Sequence, residues 1–369
     1  MKRAILASGL LLAMVGLLAG VSYPATAQTA SVTASATIQA TAAPTANPLG
    51  GATTFAKVDQ VTNVNLMLDY TPNTNHLGIY AAEALGYYTD ANLNVTIQQP
   101  GDVAVEQIVG TGKAEFGVSY EDQATFAMVN SKQPIVSIAA IIQHDTSAFA
   151  SLHDKHPLKT PTDLSGLRYG SFGSPIEKPT LDILTQCVGA SSTNIQYIDL
   201  GTSEPFPLME QDRIDFVWLF YAWDGIRAKQ QGLTVDYIFL KDYTKCIPDY
   251  YTPILITSAD EIVKHPDVVK AFVQATARGY AYAIQHPDDA AAILIKAVPD
   301  LDAALVKESS EWLAGQFQAD APRWGQQKLS IWQGYSDFLI KGGASLDHGI
   351  DAKTAFTNDF LPGTAPASP

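Results

Sequence analysis

The feature that most constrains the fold of this chain is an alternation of short β-rich runs and helical stretches that begins near residue 62. The runs include VNLMLDY, NVTIQQ, EFGVSY and IVSIAAIIQ, and a second set contains LRYGSFG, IQYIDL and DFVWLF. Strands that alternate with helices form parallel sheets with the helices packed on the sheet faces. The sequence therefore predicts an α/β fold with mostly parallel sheets.

Two breaks in this alternation predict two lobes. The stretch HDKHPLKTPTDLSG interrupts the pattern near residue 152, and KCIPDYYT interrupts it again near residue 248. We expect residues 153–248 to form an inner lobe that is inserted into an outer lobe made of 58–152 and 249–362. The chain would then cross between the lobes twice and leave a cleft between them, as in proteins that close around a ligand by a hinge motion.

The N-terminal segment indicates export. Lys2 and Arg3 precede the apolar run ILASGLLLAMVGLLAG, and small residues follow up to Ala27. This pattern is typical of a secretory signal peptide, here 1–27, with cleavage after Ala27. The apolar run is also nearly long enough to span a bilayer, so a retained N-terminal anchor is the alternative. Both predict a protein in the periplasm or on the outer face of the cell membrane.

The segments before and after the predicted lobes differ from the lobes in composition. Residues 28–57 are rich in Ala, Thr, Ser and Pro and have no apolar period, and 363–369 are similarly simple. Such segments do not bury enough apolar surface to fold. We therefore expect a disordered linker at 28–57 and a short tail at 363–369.

The charge balance and the cysteines bound the classes of partner. The formal net charge of −14 argues against nucleic acid or an anionic membrane surface as the main partner. Two cysteines without clustered histidines give no pattern for a metal site. Cys187 lies on an apolar helical face, where a buried thiol is the default, and a disulfide to Cys246 is left open.

Aromatic and polar side chains follow five of the predicted strands, and one more lies at the second break. In open α/β sheets the carboxyl ends of the strands face the crevice where ligands bind, so we expect these side chains to face one cleft. The candidate ligand-binding residues are Tyr70, Asn73, Asn75, His76, Tyr120, Glu121, Gly173, Ser174, Tyr221, Trp223, Asp224 and Tyr251.

The chemistry of these groups favours a small, neutral, heteroaromatic ligand. Tyr and Trp faces stack on flat rings, and Asn, Ser and His supply donors and acceptors for ring edges or hydroxyls. Backbone N–H groups at the start of the helix near Pro175 could hold an oxygen-rich group. The structural alternatives are an N-cap role for Asn75 and a helix N-terminal role for Glu121 and Asp224.

No motif in the sequence predicts catalysis, a cofactor or a metal. GSFGSPIEK lacks the Gly-Lys-Ser/Thr ending of a Walker loop and the spacing of a dinucleotide fingerprint. Ser174 is not in the G-x-S-x-G context of a hydrolase nucleophile. On the late helices, Trp312, Trp324 and Trp332 are expected to be packing residues.

Several segments together resemble one group of transport proteins. LDYTPNTNHLGIYAAEALGYY, FGVSYEDQ, VSIAAIIQHDTSAFASL, YGSFGSPIEKP and FYAWDGI look like the solute-binding proteins of vitamin-precursor ABC importers, which include receptors for formylaminopyrimidine and for riboflavin. The resemblance covers about 60–362. It implies a type II periplasmic-binding-protein fold with two interlobe crossovers, no catalysis, and a membrane permease and an ATPase as partners.

The resemblance also bears on a rival activity in the same superfamily. Fungal thiamin-pyrimidine synthases carry a Lys and a His after the third strand and a cysteine-rich run near the later crossover. At the matching positions this sequence has Ser119, Gln123 and the segment PDYY, 248–251. The distinctive groups of the synthase are therefore absent, and the resemblance favours a receptor over an exported synthase.

One departure from the resemblance bears on the ligand. Formylaminopyrimidine receptors tend to have Trp where this sequence has Tyr70, which suggests a cleft adjusted to another ring system. Riboflavin would use stacked aromatics for its ring and polar groups for its ribityl hydroxyls. The residues that could serve the hydroxyls are Asn73, Asn75, Gln143 and Asp145. Riboflavin is therefore the preferred ligand, and a thiamin pyrimidine stays open as the alternative.

Overall fold

The computed structural model describes residues 47–101, 103–201 and 203–363. The predicted signal peptide lies outside these residues, as do most of the predicted linker and most of the tail. The prediction of disorder is wrong for the described end of the linker, 47–57, because this segment packs on the folded lobe: the N–H of Trp324 donates to Pro48 O at 3.0 Å, and the N–H of Ala56 donates to Gln274 Oε1 at 2.7 Å. Within the described part of the chain, no helix is both long enough and apolar enough to cross a membrane.

The first sheet has five strands among the described residues. They are β1 (Thr62–Met67), β2 (Leu93–Gln98), β3 (Phe116–Ser119), β4 (Ile135–Ala140) and β10 (Ile254–Ser258), in the order β2-β1-β3-β10-β4. β1 pairs in parallel with β2 and β3, and β10 is antiparallel to β3 and β4. All positions of β3 and β10 are buried, whereas burial alternates in β2. Apolar runs therefore take the central places and the alternating run takes an edge.

The second sheet repeats this arrangement. Its strands are β5 (Ser147–Leu152), β6 (Arg168–Ser171), β7 (Gln196–Asp199), β8 (Phe216–Phe220) and β9 (Val235–Phe239), in the order β7-β6-β8-β5-β9. β6 pairs in parallel with β7 and β8, and β5 is antiparallel to β8 and β9. Each sheet thus contains one antiparallel strand, which the sequence pattern did not predict.

The helices surround these sheets. They are α1 (Leu77–Ala84), α2 (Tyr87–Asp90), α3 (Val105–Gly110), α4 (Glu121–Val129), α5 (Glu177–Cys187), α6 (Pro205–Glu210), α7 (Ile226–Gln230), α8 (Ala259–Lys264), α9 (Pro266–Gln285), α10 (Pro287–Ala297), α11 (Ala303–Ala314), α12 (Leu329–Lys341) and α13 (Ala352–Ala355). Proline begins α9 and α10, where its missing N–H costs no helical hydrogen bond.

The first boundary predicted between the lobes is wrong, because it leaves a strand of the inner lobe in the outer lobe. The prediction assigns Ser147–Leu152 to the outer lobe, but this segment pairs with β8 and β9 in the second sheet. The first crossover therefore precedes Ser147. The polar stretch after residue 152, which predicts the boundary, is a loop that follows β5. A buried run cannot show from its composition alone which of two sheets it joins.

The two crossovers meet at a histidine. His144 follows β4, and its Nδ1 lies 2.5 Å from Asp249 Oδ2, on the segment that leads into β10. Its Nε2 lies 2.9 Å from Asp320 Oδ1. Hydrogen bonding to Asp249 outweighs burial and raises the pKa of His144. We call His144, Asp249 and Asp320 the crossover clamp, because an imidazolium that donates from both nitrogens ties the crossovers together.

Helix α1 packs closely on α9, and this contact holds the turn that precedes α1. A Cβ on Gly279 would lie 1.9 Å from the carbonyl oxygen of Gly78, so only glycine permits this approach. The Tyr280 hydroxyl donates to the carbonyl oxygen of Asn75 at 2.7 Å, and its ring stacks on Trp324. The turn at 69–76 is therefore anchored on the core of the first lobe.

The predicted packing role of the late tryptophans is confirmed. Trp324 and Trp332 are fully buried and Trp312 is 9% exposed.

The default of a buried thiol at Cys187 is wrong. Cys187, at the end of α5, forms a disulfide with Cys246, which precedes the second crossover. The two cysteines are 59 residues apart in sequence, and spacing alone carries no information on their distance in space.

Candidate ligand-binding cleft

Three adjoining cavities form one cleft. The main cleft has a volume of about 750 Å³, the aromatic pocket about 310 Å³ and the side chamber about 590 Å³. Tyr120 lines all three, and Phe172 and Phe220 line both the main cleft and the aromatic pocket. Sites for small molecules span about 300–1,000 Å³, so the cleft can hold a ligand of several rings.

The cleft is built from strand ends of both sheets, as the sequence predicted. Tyr70 and Tyr120 follow β1 and β3 of the first sheet, and Phe172 and Phe220 lie at the ends of β6 and β8 of the second. Since these strands end at the same side of each sheet, both lobes supply aromatic side chains to one space.

These aromatic side chains are unusually exposed. Tyr70 is 63% exposed, Phe172 52% and Phe220 38%, although all three line the main cleft. Large apolar groups that are grouped and left in water mark binding surfaces in soluble proteins. Their ring faces suit a flat ligand that would cover them.

The first-lobe wall of the cleft includes a turn that is held by hydrogen bonds among its own residues. Asn73 Oδ1 accepts from the backbone N–H of Asn75 at 2.9 Å, and Asn73 Nδ2 donates to Thr71 O at 3.0 Å. The N-cap of the short 3₁₀ helix Thr74–His76 is therefore Asn73, and the alternative that placed Asn75 there is wrong. Both Asn73 and Asn75 line the main cleft.

A buried chain of hydrogen bonds lies behind this wall. His76 Nδ1 accepts from the N–H of Asn73 at 3.1 Å, and His76 Nε2 lies 2.7 Å from Asp69 Oδ1. The Tyr120 hydroxyl donates to Asp69 Oδ2. Burial opposes ionisation of Asp69, but His76 and the two hydrogen bonds lower its pKa below the usual value overall. The ionised Asp69 therefore fixes the hydroxyl of Tyr120 at the cleft.

Seven of the twelve predicted residues line the cleft. Those in the main cleft are Tyr70, Asn73, Asn75, Tyr120, Trp223 and Asp224, and Ser174 lines the aromatic pocket. Gly173 does not line it: it is an exposed residue with φ +81°, between Phe172 and Ser174. Its conformation turns the loop rather than presenting a group to the ligand.

The other four predicted residues are buried behind the cleft, which corrects their assignment. His76 belongs to the hydrogen-bond chain described above. Tyr221 packs its ring against Tyr237, Phe239 and Trp312, because the strand's alternation turns Phe220 outward instead.

Glu121 and Tyr251 join two segments of the first lobe. Glu121 Oε2 accepts from the N–H of Tyr251 at 2.7 Å, and the Tyr251 hydroxyl accepts from the N–H of Lys328 at 2.9 Å. Both side chains are fully buried. Burial raises the pKa of Glu121 well above its usual value. These contacts give both residues a structural role.

The loop before α5 already holds a carboxylate, so it does not offer the predicted site for an oxygen-rich group. The N–H groups of Phe172 and Ser174 donate to Glu177 Oε1 at 3.1 and 3.0 Å, and the hydroxyl of Ser171 donates to Glu177 Oε2 at 2.5 Å. Glu177 is 4% exposed. An anion from solution would have to displace a buried charge.

Several lining residues were not among the predicted site residues. They include Thr71, Gln99, Thr146, Phe172, Glu204, Phe220, Arg227, Thr252, Asp300 and Leu301. Phe172 and Phe220 stand at strand ends and had the same signal as the predicted residues. Asp300 and Leu301 come from the loop between α10 and α11, which carries no such signal. Gln143 and Asp145, expected to serve hydroxyls, are buried and do not line the three cavities.

Carboxyl groups dominate the charge of the cleft. Those that line it are Asp69, Glu106, Asp122, Glu177, Glu204, Asp224 and Asp300. Among the described lining residues the one cation is Arg227, which lies 5.6 Å from the Trp223 ring centroid and 3.5 Å from Glu204. Burial raises the pKa of Asp122 and of Asp224 to about 6 each. This balance disfavours a phosphate or sulfonate ligand.

The described residues contain no cluster of His, Cys, Asp and Glu that could hold a metal ion.

Two five-stranded sheets, two crossovers and a cleft at the strand ends define the periplasmic-binding-protein fold. Solved structures agree: the aliphatic sulphonate binding protein SsuA from Escherichia coli superimposes with a TM-score of 0.60 at 12% identity, over 83% of this chain and 94% of that one. The ligand binding component of an ABC-type import system from Staphylococcus aureus gives 0.60 at 14% identity, over 84% and 100%. At these identities the likeness concerns the fold alone.

The chain belongs to the NMT1/THI5-like family, whose model matches residues 73–290. A formylaminopyrimidine-binding protein of Halalkalibacterium halodurans is 24% identical over 69% of this chain and 76% of its own length. The riboflavin-binding protein RibY of Chloroflexus aurantiacus is 24% identical over 81% and 86%. A 4-amino-5-hydroxymethyl-2-methylpyrimidine phosphate synthase of Legionella pneumophila is 23% identical over 82% and 93%. The relatives of this chain therefore include both proteins named as binding proteins and a protein named as a synthase.

Proposed function

We propose that this protein is an extracytoplasmic solute-binding protein of an ABC importer that captures a heteroaromatic vitamin, with riboflavin as the preferred ligand. The observation that carries the proposal is the set of exposed aromatic side chains, Tyr70, Phe172 and Phe220, which both lobes direct into one cleft. A flat ring between them would remove their faces from water and would contact both lobes at once.

A ligand that touches both lobes also explains how the receptor would signal occupancy. Each lobe alone contacts only part of the ligand, so the closed arrangement binds it more tightly than the open one. The closed form would then dock on a membrane permease, and a cytoplasmic ATPase would drive uptake. This step follows from the family resemblance to solute-binding proteins of ABC importers; the relatives named as binding proteins for formylaminopyrimidine and for riboflavin support the capture of the ligand.

The second candidate is the same role for formylaminopyrimidine or another thiamin pyrimidine precursor. It is supported by the relative named as a formylaminopyrimidine-binding protein. Riboflavin is preferred because the main cleft and its two side cavities offer space for several rings. Tyr70, in place of the Trp that pyrimidine receptors tend to have, agrees with this preference.

The synthase activity of other relatives is disfavoured by the groups at the matching positions. Ser119, in place of the synthase lysine, donates its hydroxyl hydrogen to Glu106. Gln123, in place of the histidine, donates to Asp122 at 3.2 Å. Neither side chain can supply the amine or the imidazole. The occupied loop at Glu177 also leaves no prepared place for the phosphate of the synthase product.

The test is to purify the protein without denaturation and to look for a yellow, fluorescence-quenched flavin. Titration with riboflavin and with formylaminopyrimidine follows, on the wild type and on Trp223→Ala. We expect one ligand per chain and weaker binding by the variant, by about 1–3 kcal/mol. Tight pyrimidine binding with none for riboflavin would replace the ligand and keep the receptor. Binding of neither would overturn the vitamin assignment, and turnover of a precursor would overturn the receptor.

A further inference from the structure

The side chamber differs from the rest of the cleft in its polar groups. It opens from the main cleft past Tyr70, Thr71, Gln99 and Tyr120, which line both. Its volume of about 590 Å³ exceeds what a few trapped waters need, and the described residues that line it all belong to the first lobe. The exposed Phe172 and Phe220 are contributed by the second lobe, on the other side of the main cleft.

Two hydroxyl groups at the chamber wall, those of Tyr120 and Ser119, already donate their hydrogens to carboxylates. The Tyr120 hydroxyl donates to Asp69, and the Ser119 hydroxyl donates to Glu106. A hydroxyl has one hydrogen and two lone pairs, so each of these oxygens can only accept from a further partner. The carboxylates themselves are acceptors. These four side chains therefore present acceptors to whatever enters.

The hydrogen on Tyr120 cannot easily be redirected toward a ligand, because Asp69 is held from behind. His76 accepts from the N–H of Asn73 through Nδ1, so its ring hydrogen is on Nε2 and points to Asp69 Oδ1. His76 is fully buried, and the Asp69 side chain is 3% exposed. Both oxygens of Asp69 thus have donors, and Asp69 accepts from Tyr120 whichever ligand is present.

We propose that the side chamber is a second subsite that takes a hydrogen-bond-donating arm of the ligand, with the Tyr120 oxygen as its acceptor and with Asp69 and His76 as positioning residues. This inference rests on the proposed function, in which the ring of the ligand lies between Tyr70 and the second-lobe aromatics of the main cleft. An arm with O–H or N–H groups then reaches across into the first lobe. The ribityl chain of riboflavin and the formamidomethyl arm of formylaminopyrimidine share this chemistry.

The experiment compares each ring with and without its arm. Riboflavin is paired with lumichrome, and formylaminopyrimidine with 4-amino-2,5-dimethylpyrimidine, by titration of the full purified protein. For whichever ring the wild type binds, we expect the compound with the arm to bind at least about tenfold more tightly, since a hydrogen bond to such an acceptor is worth a factor of that order. Tyr120→Phe keeps the aromatic ring, and we expect it to remove most of that preference while affinity for the armless ring changes less than about threefold.

A matched control and a second variant separate the subsite from general damage. Tyr282 also bonds its hydroxyl to an aspartate, Asp289 at 3.3 Å, but it does not line the three cavities, so Tyr282→Phe should keep the wild-type preference. Asp69→Asn places an N–H₂ donor beside Tyr120 and frees the hydroxyl to donate. It should therefore lose the preference for a donating arm although Tyr120 is intact.

The outcomes are distinguishable from those that test the function itself. A wild type that binds the ring with and without its arm equally, or a Tyr120→Phe variant that keeps the preference, overturns the subsite and leaves the receptor standing. Binding of neither ring overturns the proposed function and this inference with it. If Asp69→Asn does not fold, Tyr120→Phe and its control decide the matter alone.

Discussion

Removing the disulfide between Cys187 and Cys246 should lower stability by a calculable amount. The bridge closes a loop with a sequence separation of 59 residues. In the chain-entropy model a loop of about 60 residues restricts the unfolded chain by about 4 kcal/mol at 25 °C. Domains of 150–250 residues lose about 2–4 °C of Tm per kcal/mol, so in this longer chain we expect a fall of about 5–10 °C.

The perturbation is the double change Cys187→Ala and Cys246→Ala, and the assay is thermal unfolding followed by circular dichroism. Reductant should lower the Tm of the wild type to that of the variant and should leave the variant unchanged. Neither cysteine lines the three cavities, so ligand affinity at 25 °C should be kept. If reductant leaves the Tm of the wild type unchanged although mass spectrometry shows that the disulfide is reduced, the predicted stabilisation by the disulfide is refuted.

Three further predictions test the cleft, the packing and the crossovers. Phe220→Ala should weaken ligand binding by about 1–3 kcal/mol in titrations, and unchanged affinity would mean that the ring does not lie in the main cleft. Gly279→Ala should cost about 1–3 kcal/mol in denaturant unfolding because its Cβ would overlap Gly78 O, whereas Gly334→Ala on α12, whose Cβ would make only an ordinary contact with Pro248 at 3.9 Å, should cost nothing. The pKa of His144 is raised in the folded protein, so its ion pairs stabilise the fold fully below the unfolded pKa, and this stabilisation is lost as the pH rises through the folded pKa. His144→Gln should therefore lower the free energy of unfolding by about 1 kcal/mol at pH 5.5 and by nearly nothing at pH 9. An equal loss of stability at both pH values would refute the charged imidazolium.

Most of the residues predicted from strand ends lie around the cleft, because that signal is local. A strand and the residues that follow it are adjacent in sequence, so the amino-acid sequence alone suffices to place Tyr70, Tyr120 and Trp223 at the cleft. It does not suffice for the direction of each side chain. In FYAW, 220–223, pairing of Phe220 with Ser147 across β8 and β5 sets which aromatic turns outward, and that pairing spans more than one element.

What the sequence could not predict depends on contacts between distant segments. The partner of Cys187, the sheet that receives β5 and the burial of Tyr251 are each decided by residues far away in the chain. The same holds for the loop before α5. Its free N–H groups look like an anion site in sequence, but the carboxylate that fills it, Glu177, lies on the following helix and reaches back.

The loop before α5, which Glu177 fills, also bears on whether this chain can bind a phosphate. A ligand phosphate needs donors that are unoccupied and a positive surrounding field. Here the loop donates to its own buried carboxylate, and the lining that the structure describes has seven carboxyl groups against Arg227. An uncharged ring with donating groups meets neither obstacle, because it can bond to those carboxyl groups. The acidic walls therefore disfavour a phosphorylated ligand, which agrees with the proposed capture of an unphosphorylated vitamin.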